Sequence, residues 1–232
     1  MAKQRFAAAL LIGLFSATTS QAASVSFYLD QSNKLADGVN YLQVTIADGT
    51  DGAIDFTVTA LQPLLDIAGD NFGIQRFAFN IVGGTATERR DVTALPADWR
   101  ARNDGRMAGF GRYDITLNGR GKPDSRQDPL TFSITGVSLD TILSYVDLST
   151  GRSPEGYSFF SAHVAGLNFG CDSAEPKKAS SARSNSGSSC ISSAYFGGTQ
   201  AVPAPPAVWL LGTAVAALAV AGRRLRRRAT AA

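Results

Sequence analysis

His163 is the only histidine in the 232-residue chain, and so the only side chain whose ordinary pKa lets it trade a proton near neutrality. It lies in the stretch Phe160-Ser161-Ala162-His163-Val164. If Phe160, Ala162 and Val164 face inward on a strand, His163 faces the other way with Phe159 and Ser161. A catalytic triad would need a nucleophile and a carboxylate brought to it by the fold, and the sequence has no nucleophile-elbow motif. The expected role is therefore a satisfied or surface histidine.

The two cysteines, Cys171 and Cys190, bracket a Ser-, Lys- and Ala-rich segment that could not pack a core by itself. A redox or metal pair would need CxxC spacing or further ligands nearby, and neither is present, which leaves a structural disulfide closing the segment. Asp48-Gly49-Thr50-Asp51-Gly52 with Asp55 gathers oxygen ligands in the manner of a calcium loop. Thr59 stands where an EF-hand places its glutamate, and Asp-Gly hairpin turns account for the same residues without a metal. Asp66, Asp70 and Asn71 carry the same ambiguity. Arg89-Arg90, Arg100, Arg102 and Arg106 read as a solvated loop face, or as one that meets an anionic polysaccharide. Trp99 and Tyr157 could stack on sugar rings or be buried. From these residues no catalytic, cofactor or metal site is nominated, and no cofactor is expected.

The elements that must position these residues are strands. Apolar residues alternate with polar ones in Val25/Phe27/Leu29, Leu42/Val44/Ile46 and Ile54/Phe56/Val58. The pattern returns in Phe77/Phe79/Ile81, Tyr113/Ile115/Leu117, Leu130/Phe132/Ile134 and Phe160/Ala162/Val164. Turn dipeptides such as Asp37-Gly38, Gly83-Gly84 and Asn118-Gly119 separate the runs. One-sided burial without a βαβ rhythm predicts an all-β domain, an antiparallel β-sandwich or jelly roll, over residues 23–198. One helix is expected where Leu139, Ile142, Leu143 and Val146 share a helical face behind Ser138, and Asp91 to Arg112 reads as a long loop.

The flanks read as addresses. Lys3 and Arg5 precede the apolar stretch Phe6–Phe15, and Ser20-Gln21-Ala22 offers small residues for cleavage, so residues 1–22 are expected to be a signal peptide. At the other end a Pro-rich linker, 199–206, leads into the uncharged apolar run 207–222. An arginine-rich tail, 223–232, follows. A helix over that run would span roughly 24 to 30 Å, about one hydrocarbon core. The arginines would hold the tail in the cytosol and leave the bulk of the chain outside. The formal charge of +3 comes from these flanks. Without Lys3, Arg5 and the five tail arginines, 15 basic residues face 19 acidic ones, a body of −4 that argues against nucleic acid as a partner.

Val202, Pro203 and Pro205, the single span, and Arg223, Arg224, Arg226, Arg227 and Arg228 resemble the PEP-CTERM sorting signal of Gram-negative bacteria that make exopolysaccharide. Ala204 stands where that motif has glutamate, so a permanently anchored protein stays open beside a processed one. Phe160-Ser161-Ala162-His163-Val164 with Phe196-Gly197-Gly198 is similar to a pattern in secreted proteins bearing that signal. The resemblance implies export across the inner membrane, with signal peptidase and an exosortase-like transpeptidase as processing partners. The inner membrane would be the anchor and polysaccharide a further candidate partner. The expected function is a non-enzymatic surface or extracellular-matrix protein associated with exopolysaccharide or biofilm. A secreted glycan-active hydrolase on a jelly-roll scaffold and a carbohydrate- or calcium-binding module are the alternatives.

Overall fold

The computed structural model describes residues 23–171 and 190–202. The strands there are β1 (Ser24–Leu29), β2 (Gln31–Ser32), β3 (Leu42–Asp48), β4 (Ile54–Ala60), β5 (Ala68–Phe79) and β6 (Val92–Thr93). They continue with β7 (Arg100–Met107), β8 (Gly111–Asn118), β9 (Leu130–Ile134), β10 (Phe160–Phe169), β11 (Ile191–Gly198) and β12 (Gln200–Ala201). They form two sheets, β12-β1-β3-β4-β9-β6 and β2-β11-β10-β5-β8-β7, and every pairing between named strands is antiparallel.

The seven alternating runs all lie in strands, wholly or in large part, and their apolar sets meet between the sheets, Tyr113 excepted. Val44, Ile46, Phe56 and Val58 of the first sheet and Phe77, Phe79, Phe160 and Val164 of the second are buried in one cluster. Its centre is aromatic. Phe56 stacks on its cross-strand partner Phe132 at 4.6 Å and on Phe79 of the opposite sheet at 5.3 Å, while Phe27 reaches Phe160 at 5.3 Å. Ring pairs at these distances add directional preference to simple area burial, so the two sheets are pinned in one relative position.

Three expectations need correction. The helix over 138–146 is a single 3-10 turn, Ile142–Tyr145, capped by Thr141, not Ser138. Ile142 and Tyr145 are buried and Leu143 faces solvent, because the 3-10 repeat of three sends residues i and i+3 inward, while Leu139 lies before the turn and is exposed. The long loop over 91–112 contains β6 and β7, whose polar composition hides strands that lie at sheet edges. The linker expected from Thr199 starts later, since Gln200–Ala201 pairs with Phe27 and Tyr28 as β12. Among the described residues no helix is long and apolar enough to cross a membrane. The expected signal peptide, the span 207–222 and the sorting residues Pro203, Pro205 and Arg223–Arg228 lie outside the described residues.

Candidate functional site

His163 and its neighbours line an open, largely polar groove on the described body. The two sequence patterns around it are register partners: Phe160 pairs with Gly198, Ser161 with Gly197 and Ala162 with Phe196. Gly197 is required at its place. A Cβ there would sit 2.4 Å from the Phe110 ring, which packs with Met107 and Tyr113 over Ala78 on the outer side of the second sheet. This small second cluster covers one half of that face. Tyr113 is buried beneath it with its hydroxyl 2.5 Å from Ser158 Oγ, and burial pushes the phenol up to about 12.

The other half of the face is open. His163 pairs with Tyr195 on β11 and with Arg76 on β5, and the imidazole lies flat on the Tyr195 ring at 4.3 Å. Two irregularities in the β5–β10 ladder frame it. One leaves Gln75 as an extra residue between the partners of His163 and Val164. The other places Gly166, at φ +78°, against the Asn71 carbonyl, where a Cβ would come within 2.6 Å. Bulges of this kind bend a strand and re-aim its side chains. Here they open a groove of about 940 Å³ lined by Asp70, Gln75, Arg126, His163, Asn168 and Ser193.

Arg126 and Asp70 bring opposite charges to the groove, and Arg76 flanks His163 on β5. Arg126 donates from Nη1 to the Asn71 carbonyl at 2.6 Å, and Arg76 from Nη2 to the Arg106 carbonyl at 3.3 Å. The Nε of each is buried without a hydrogen-bond partner, and among the described residues neither has a carboxylate within ion-pair distance. Burial, reinforced by Arg76, Arg126 and Lys34, holds the His163 imidazolium down to about 4, so the ring is neutral at pH 7. A neutral imidazole flanked by guanidinium groups is suited to receiving an anion.

The other expected residues are dispersed. Cys171 and Cys190 are bonded to each other, with their Cα atoms 4.5 Å apart. Asp48 accepts from the Ala23 amide at 3.2 Å and Asp55 from Ser133 Oγ at 2.6 Å, each carboxylate being engaged in a structural bond. Among the described residues no group of three or more His, Cys, Asp or Glu side chains could hold a metal. Trp99 is buried, with its indole N–H donating to the Ser125 carbonyl at 2.7 Å, so it offers no ring to a sugar; Tyr157 is exposed. Of the expected arginines, Arg100 and Arg102 stand on edge strand β7 beside Asn118 in a smaller hollow of about 230 Å³. Gln75, Arg76 and Arg126 were not legible as site residues, because only the bulged pairing and the loop before β9 bring them to His163.

No protein-family model, characterised protein or solved structure matches this chain.

Proposed function

We propose that this chain is an exported, non-enzymatic surface or matrix protein, sorted through its PEP-CTERM-like segment and associated with exopolysaccharide. On this reading a jelly-roll-like body is presented outside the inner membrane, with residues 1–22 as its export signal and 207–222 as its anchor.

The observation that carries the reading is where the body's two ends leave the sandwich. β12 pairs antiparallel with β1, and the Val202 amide donates to the Ser26 carbonyl at 2.8 Å. Residues entering at Ala23 and leaving at Val202 therefore part from the body on the same side, one strand apart. A domain tethered in this way can hang from a bilayer by a short connector with its remaining surface free. The Cys171–Cys190 bond agrees with an oxidising compartment. So does a body charge that is mildly acidic once the flanking basic residues are set aside.

The test is a tail variant with Arg223, Arg224 and Arg226–Arg228 all changed to Gln, followed by cell fractionation and intact-mass measurement. Retention at the membrane and C-terminal processing should both be disturbed, because the cytosolic charge anchor is gone. Unchanged localisation and mass would sink the sorting reading.

A further inference from the structure

Register pairing places Arg100, Asn118, Arg76, His163 and Tyr195 side by side in one row across β7, β8, β5, β10 and β11. Directly paired residues of a sheet project to the same face. At about 4.8 Å per strand the row is roughly 19 Å long. His163 lines the larger hollow and Arg100 and Asn118 line the smaller, with Arg76 between them in the row and bonded to the Arg106 carbonyl. Arg126 lines the larger hollow and Arg102 the smaller.

The charges along this row are not spent within the protein. Among the described residues, the arginines in ion pairs are Arg90, Arg112 and Arg120; Arg76, Arg100, Arg102 and Arg126 are in none. Arg76 and Arg100 stand in the row, Arg126 and Arg102 line the two hollows, and the planar fork of arginine fits carboxylates bidentately. The same hollows hold amides and hydroxyls, Gln75, Asn118, Asn168 and Ser193, which match sugar hydroxyls as donors and acceptors, and one carboxylate each, Asp70 in the larger and Asp98, paired with Arg120, in the smaller. The spacing of charge along an extended line, with neutral hydrogen-bonding groups between, favours a carboxylated oligosaccharide over a compact anion.

We infer that the outer face of the second sheet binds an extended, carboxylate-bearing oligosaccharide along the row from Tyr195 to Arg100, with Arg76 and Arg126 as its principal anion contacts. The inference rests on the proposed association with polysaccharide and gives it a site. Localisation and processing test the sorting; the binding measurement below tests the site alone.

The full-length chain in mild detergent is titrated with tetragalacturonate, its methyl-esterified form, monomeric galacturonate and a short polyglutamate. The His163 imidazole signal, which has no rival in this sequence, reports occupancy by NMR. The groups facing it are Arg76, Arg126, Lys34 and Tyr195, with Asp70 lining the same groove. Bound carboxylate should raise the pH at which that signal titrates. Tetragalacturonate should bind at least 10-fold more tightly than the other three, and R76Q and R126Q should each weaken it about 10-fold with native thermal melting. Should R76Q fail to fold, R126Q carries the test, since Arg126 lies in a loop. Absent binding, equal binding by R126Q, equal affinity for the ester or the monomer, or equal affinity for polyglutamate would each overturn the assignment.

Discussion

At the scale of single residues, His163 shows how a fold can silence a group that composition marks as the natural proton carrier. Its surroundings are part strand, part guanidinium, and both oppose the charged form. The folded protein therefore takes up its proton near pH 4, while the unfolded chain does so near the ordinary value of about 6.5. The neutral form is the one the fold accommodates, so this contribution to stability is complete above about pH 6.5 and is lost as pH falls toward 4. The ring is partly open to solvent, and a loss of about 1–2 kcal/mol is expected after discounting for screening. Urea denaturation at a series of pH values should show the decline, and His163→Gln should flatten it; an identical slope in the variant would mean that other groups are responsible. Sequence reasoning put His163 on the outer face with Ser161 but could not supply its neighbours. Phe159, expected on that same face, instead packs against the main core beside Phe27.

At the scale of elements, the legible strands are those whose two faces meet different solvents. β3, β4 and β9 alternate cleanly because one side meets the core and the other water, and so they could be read from period alone. β11 escaped notice: its outward residues include Ser193, Tyr195 and a glycine, and its amphipathic contrast is weak. β7 escaped for the opposite reason, being an edge strand rich in arginine. The bulges that make the groove were illegible, since an extra residue in a ladder is a property of two strands and not of one. Gly197 gives this scale its experiment. Gly197→Ala pushes a methyl into the Phe110 ring and should destabilise by about 1–3 kcal/mol, measured by denaturant midpoint. The second cluster should loosen first, seen as increased solvent exposure of Tyr113. A neutral Gly197→Ala would show that Phe110 can move aside at no cost.

At the scale of the whole molecule, two sheets share one aromatic centre, and the cysteine bond closes a segment whose ends lie on adjoining strands. Cys171 follows β10 and Cys190 precedes β11, so the bond ties a hairpin that strand pairing already holds. On the loop-entropy model a closure of this length stabilises by about 3 kcal/mol. Reduction should therefore lower the melting temperature by several degrees without unfolding the sandwich at 25 °C; complete unfolding on reduction would mean that the hydrophobic centre is not sufficient. Fold class and the cysteine bond were readable from sequence because each follows from local pattern or simple counting. The row from Tyr195 to Arg100 was not, because it collects one residue from each of five strands.

The pairing of β12 with β1 has a mechanical consequence. Tension entering through Val202 would act first on a strand of two residues, Gln200 and Ala201, which has few bonds to lose. Behind it comes β11, eight residues long and flanked by β10 and β2, whose ladder resists as a block. A pull through Val202 would thus peel away a short lead and then stop while the sandwich stays shut.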